Sequence, residues 1–104
     1  MKYLKQLLFL TLIFSLIIFN NCGTDTAENY RLRGDDKLRL KDYNGAIADY
    51  NKVIELAPNH SNVYYYRGNI KEFIGDLNGA CSDWGKAAEL GSADAIKEVA
   101  NQCN

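Results

Sequence analysis

A chain of 104 residues, 47% hydrophobic and 24% charged, with a formal net charge of −1, is enough for one small domain. Its acids and bases are interspersed, and setting aside Lys2 and Lys5 takes the balance only to about −3; the chain lacks the basic face that phosphate binding needs, which argues against nucleic acid as a partner. No low-complexity segment is present, and the single proline, Pro58, lies mid-chain.

Met1-Lys2-Tyr3-Leu4-Lys5 is basic, and residues 6–19 are almost entirely apolar, interrupted by Thr11 and Ser15. This is the profile of an export signal, with an apolar core shorter than the roughly 20 residues of a permanent membrane-spanning helix. The run ends at Phe19-Asn20-Asn21-Cys22-Gly23, which resembles the lipobox of bacterial lipoproteins, with asparagines where small residues are usual. The resemblance implies cleavage before Cys22 and acylation of Cys22. Residues 1–21 would then be the signal peptide and 22–26 a short tether on a membrane, facing the periplasm or the exterior. Ordinary secretion and an uncleaved anchor are the alternatives.

Two helical hairpins are expected next. The first has helices from about Ala27 to Leu40 and from about Tyr43 to Ala57, with a turn at Lys41-Asp42 and Asp42 placed to cap the second helix. Ala46, Ile47, Tyr50, Val53 and Ile54 form one apolar stripe, and the helix must end before Pro58. The second hairpin has helices from about Ser61 to Ile74 and from about Leu77 to Leu90, with Gly75 able to take the left-handed conformation that closes a helix. Gly34 and Gly68 sit mid-helix, where glycine costs about 1 kcal/mol relative to alanine. Close approach of the second helix is the expected return, with Ala46 and Ala80 opposite the glycines and Tyr50 and Trp84 one turn further on.

The hairpins are two copies of one unit. At an offset of 34, residues 27–60 and 61–94 coincide at Tyr30/Tyr64, Arg33/Arg67, Gly34/Gly68, Lys37/Lys71, Asp42/Asp76, Asn44/Asn78, Gly45/Gly79, Ala46/Ala80, Asp49/Asp83, Lys52/Lys86, Glu55/Glu89 and Leu56/Leu90. This period and pattern resemble tetratricopeptide repeats, through Gly34, Tyr43, Ala46, Tyr50 and Pro58 in one copy and Gly68, Ala80, Trp84 and Ala87 in the other. The pattern is most similar to a bacterial subgroup with Tyr-x-x-Arg-Gly followed by Gly-Ala-x-x-Asp-aromatic, which here spans Tyr30 to Gly34 with Gly45 to Tyr50, and Tyr64 to Gly68 with Gly79 to Trp84. The resemblance implies an all-α solenoid of two units, residues 27–60 and 61–94, whose first helices line a groove for a protein or peptide. Carried over by position, that groove is Glu28, Arg31, Asp35, Leu38 and Arg39 with Asn62, Tyr65, Asn69, Glu72 and Phe73. Tyr65 and Phe73 are the favoured contacts, because aromatics are frequent hot spots. A structural role, in which the solenoid stacks on itself or on another, is the alternative.

Arg33 and Arg67 stand where the general pattern is apolar. In an antiparallel hairpin turning near residues 41–42, Arg33 comes level with Asp49, and Arg67 with Asp83 by the same spacing, so each unit is expected to carry an internal ion pair. After Gly91-Ser92 a last short helix, Ala93 to about Gln102, places Ala95, Ile96, Val99, Ala100 and Cys103 on one side. Residues 93–103 read as the cap a solenoid needs over its last apolar face. Cys81 and Cys103 each lie 11 residues from Ser92, so a hairpin brings them side by side. A disulfide is expected in an oxidising compartment and would contribute about 3 kcal/mol; two buried thiols are the other reading. His60 stands in the polar turn Pro58-Asn59-His60-Ser61 and reads as ordinary surface. No metal-ligand spacing and no phosphate loop occurs, so neither a cofactor nor catalysis is expected.

Overall fold

The computed structural model describes residues 3–11 and 25–104. Residues 4–11 are helical. The rest of the expected leader, with the expected cleavage site, the expected acylation site Cys22 and the expected tether up to residue 24, lies outside the described residues.

The remainder is a succession of five helices: α1 (Ala27–Arg39), α2 (Tyr43–Leu56), α3 (Ser61–Phe73), α4 (Leu77–Glu89) and α5 (Ala93–Gln102). Among the described residues there is no strand. Each of the first four helices ends one residue earlier than the periodicity suggests, because Leu40, Ala57, Ile74 and Leu90 are the C-caps. Short polar side chains set the starts: Thr26, Asp42, Asp76 and Ser92 accept from the amides of Asn29, Gly45, Gly79 and Ala95, satisfying donors that a helix start leaves without partners.

Three of the four connections are the same joint. At Leu40-Lys41-Asp42, Ile74-Gly75-Asp76 and Leu90-Gly91-Ser92 the middle residue is left-handed, with φ of 60°, 93° and 98°. The amides of Asp42, Asp76 and Ser92 reach back to the carbonyls of Lys37, Lys71 and Ala87, and those of Lys41, Gly75 and Gly91 to Leu38, Glu72 and Ala88. This is the Schellman closure, and the residue that ends it also caps the next helix. The fourth connection, residues 57–60, follows another plan around Pro58.

α1 packs on α2 and α3 on α4 as antiparallel hairpins, α2 joins the pairs through α3, and α5 closes on α4. One core cluster is built on Ala46, Tyr50, Val53, Val63 and Ile70, the other on Tyr64, Ala80, Trp84, Ala87 and Ala95, and Ile54 packs against both. The architecture is the expected all-α, TPR-like solenoid.

Two packing details differ from expectation. The ring of Tyr50 itself lies over Gly34, where a Cβ would fall 2.6 Å from Tyr50 Cε1, and the indole of Trp84 lies over Gly68, 2.7 Å from such a Cβ. The glycines therefore make room for aromatic rings, with the Ala80 carbonyl also close to Gly68. On α5, Ala95 is buried and Val99 and Cys103 are half-buried, but Ile96 and Ala100 face solvent. A helix lying on one neighbour buries a narrower strip than the apolar side anticipated for it.

Candidate protein-binding groove

The first helices of the two units, α1 and α3, border two adjoining depressions. One, about 270 Å³, is lined by Arg31, Asp35, Leu38, Arg39, His60, Asn62 and Tyr66. The other, about 220 Å³, is lined by Leu38, Tyr43, Asn69, Ile70 and Phe73. Leu38 is common to both, so the surface runs from a polar end at Arg31, His60 and Asn62 to an apolar end at Phe73. Phe73 is 71% exposed and packs on Tyr43 with ring centroids 4.8 Å apart.

Of the anticipated groove residues, Arg31, Asp35, Leu38, Arg39, Asn62, Asn69 and Phe73 line these depressions. Glu28 stands beside the wall as a partner of Arg31, and Glu72 is exposed and lines neither depression. Tyr65 is half-buried against the Trp84 cluster. Its neighbour Tyr66 lines the polar depression instead, stacked 6.5 Å from Tyr50. His60 belongs to the same wall and is half-buried, where a plain surface residue was expected.

The floor is tied to the core by a rule that both units obey. Tyr50 Oη donates to Asp35 Oδ1 at 2.7 Å, and Trp84 Nε1 donates to Asn69 Oδ1 at 2.8 Å. Asp35 and Asn69 occupy equivalent positions, as do the two rings. Each buried ring thus has its polar atom satisfied by the groove residue above it. Burial, and then the bond to Asp35, pushes the Tyr50 hydroxyl above the ordinary tyrosine range. Arg31 is clamped, with Nε and Nη2 2.9 and 2.6 Å from Glu28 and Nη1 2.6 Å from Asp35. The guanidinium holds the Glu28 carboxyl below its usual range, and the pairing in turn pushes Arg31 further up. Arg39 pairs with Asp36. The wall is polar but close to charge balance.

Behind the groove, Arg33 Nη2 lies 3.2 Å from Asp49 Oδ1, and Arg67 grips Asp83 with Nε at 2.8 and Nη2 at 2.6 Å. Both aspartates are buried. Lys37 Nζ lies 2.9 Å from Asp49 Oδ2 and Lys71 Nζ 3.0 Å from Asp83 Oδ2. Both are ionic contacts without hydrogen-bond alignment: Asp83 Oδ2 accepts from Arg67 Nε, and Asp49 Oδ2 accepts no hydrogen bond among the described residues. The lysines were missed as partners although they coincide in the overlay and follow the arginines by one helical turn. The guanidiniums also lie over Tyr30 and Tyr64, at 5.3 and 5.7 Å. The Tyr-x-x-Arg-Gly motif therefore reads as ring, cation and landing place for the partner helix's aromatic. Cys81 Sγ and Cys103 Sγ lie 2.09 Å apart, joining α4 to the end of α5. Among the described residues no group of three or more His, Cys, Asp and Glu could hold a metal ion.

Residues 34–72, from the glycine under Tyr50 to the last turn of α3, match the family model described as a TPR repeat. No curated protein matches the chain closely enough to count as a relative. The match and the stacked hairpins support a tetratricopeptide-repeat protein, built on a repeat that generally mediates protein–protein interaction and is generally non-catalytic.

Proposed function

We propose that the chain is a non-catalytic adaptor of the bacterial cell envelope, held to a membrane through acylated Cys22 and offering the α1–α3 groove to a protein or peptide. The observation that carries the binding role is the continuous surface from Arg31 to Phe73, in which exposed apolar groups adjoin polar ones fixed by the core. Support for the address is the sequence Asn20-Asn21-Cys22 after a basic, then apolar leader. Two acyl chains would hold the protein stably, since each buried methylene adds about 0.8 kcal/mol and a single chain gives reversible attachment.

Radioactive palmitate labelling of cells tests the anchor: wild type takes up label and stays in the membrane fraction, and Cys22→Ala does neither. Unlabelled wild type would remove the anchor and the address together. For the groove, a photo-crosslinking residue placed at Tyr66 or Phe73 is expected to give protein adducts that the same residue at Leu56, exposed outside both depressions, does not. Adducts of equal yield at all three positions would rule the groove out. A structural, self-associating role is favoured by the exposed apolar side chains of Leu40, Phe73, Ile74 and Leu77. Concentration-dependent sedimentation, abolished by Phe73→Asp, would select it.

A further inference from the structure

α5 is held differently from the other helices. The α1–α2 and α3–α4 hairpins are locked by the fully buried rings of Tyr50 and Trp84, by their bonds to Asp35 and Asn69, and by the Arg–Lys–Asp clusters. α5 has 10 residues and one fully buried side chain, that of Ala95. Its side-chain hydrogen bonds stay local, from Ala95 to Ser92 at its start, Gln102 to Glu98 within it and Asn104 to Ala100 past its end. Isolated helices shorter than about 12–15 residues are marginal in water. What fixes the far end of α5 is the bond from Cys103 to Cys81, which closes a span of 22 residues around the Gly91-Ser92 turn. Both cysteines are half-buried, outside the fully enclosed core.

We propose that the Cys81–Cys103 disulfide is a redox-sensitive latch: oxidised, it holds α5 on α4, and reduced, it lets α5 detach and unfold while α1–α4 keep their structure. The reductant is a dithiol. One of its thiolates bonds to Cys103 Sγ as the Sγ–Sγ bond breaks and Cys81 leaves as a thiolate. The second thiolate then displaces Cys103, so that two electrons pass to the cystine, the dithiol becomes a disulfide and each cysteine takes up a proton. Opening the latch uncovers the end of α4, where Ala87, Ala88 and the C-cap Leu90 share a cluster with Ala95 and Val99. The other helices lose none of their own closures.

Amide hydrogen exchange of the full chain, with and without dithiothreitol, tests this, with alkylation of Cys81 and Cys103 followed by peptide mapping in the same samples. The expected result is protected cysteines before reduction and alkylated ones after it. Exchange in residues 93–102 should rise at least about tenfold while α1–α4 change by less than about twofold. Cys81→Ala/Cys103→Ala, without reductant, should reproduce the reduced pattern. Cysteines already alkylated in the untreated protein would overturn the proposal, as would unchanged α5 exchange after reduction. Acceleration of all five helices together would overturn it as well, since the bond would then serve global stability and not a local latch.

Discussion

Asp49 and Asp83 occupy the same place in the two units, yet their arginines are held differently. The Arg33 side chain is 52% exposed and makes one hydrogen bond to Asp49, at 3.2 Å, with Asp25 at 3.4 Å as its other partner. Arg67 is 17% exposed, forks onto Asp83 and sends Nη1 to Asn51 of α2 at 2.7 Å. It therefore ties its own hairpin to the preceding one. Removing an exposed partner costs about 0–1 kcal/mol, and breaking a buried pair about 3–5. Because Lys71 stays beside Asp83, Arg67→Ala is expected to destabilise by about 2–3 kcal/mol and Arg33→Ala by less than about 1, read from urea midpoints. Tyr50 supplies a pH dependence. The fold holds its neutral form, so its raised pKa means that its contribution is intact below about pH 10, where an unfolded tyrosine ionises, and is lost as pH rises beyond that. Urea titrations between pH 8 and 12 should show a fall in stability above pH 10 that is shallower in Tyr50→Phe.

Helices obey their caps, and the three Schellman joints isolate one residue that does not fit. Lys41 adopts φ of 60° where the later joints use Gly75 and Gly91. A side chain in that conformation costs about 1 kcal/mol. Lys41→Gly is expected to stabilise the protein by about 0.5–1 kcal/mol, seen as a melting temperature several degrees higher by circular dichroism. Gly68→Ala acts the other way: its Cβ would lie 2.7 Å from a Trp84 ring that has no room to move. Overpacking of about 1–3 kcal/mol should outweigh the helix propensity gained, so its midpoint should fall below wild type. Helix positions were legible in the sequence because Asp42, Asp76, Ser92 and Pro58 are local signals, and the 34-residue echo placed equivalent residues together. Tyr66 and Ile96 were not legible. Which edge of a helix meets its neighbour depends on the angle at which pairs stack, and a stripe of apolar residues in one helix does not encode that angle. Lys37 and Lys71 were visible as a coincidence, but their role follows only once a buried carboxylate is seen to need more than one cation.

Across the whole molecule, Ile54 is shared by the two core clusters, and with Val63 and Ile70 in the first cluster and the Arg67–Asn51 bond it ties the two hairpins together. The single tryptophan, Trp84, sits in the second cluster, so its fluorescence follows that unit alone while circular dichroism follows both. In wild type the two signals should report coincident urea transitions. Ile54→Ala is expected to cost about 2 kcal/mol and to pull the transitions apart.

The repeated joints set where the protein tolerates a change of length. Each Schellman joint spends two residues, Lys41-Asp42, Gly75-Asp76 or Gly91-Ser92, between a C-cap and the next helix, and both have a backbone duty. One extra residue after an N-cap turns the following helix by about 100°, carrying its buried stripe away from its partner. Pro58-Asn59-His60 ends no Schellman closure, and the His60 side chain caps nothing. Insertions, tags and hinges therefore belong between the units and not within them, and a longer solenoid would grow by adding hairpins at that seam.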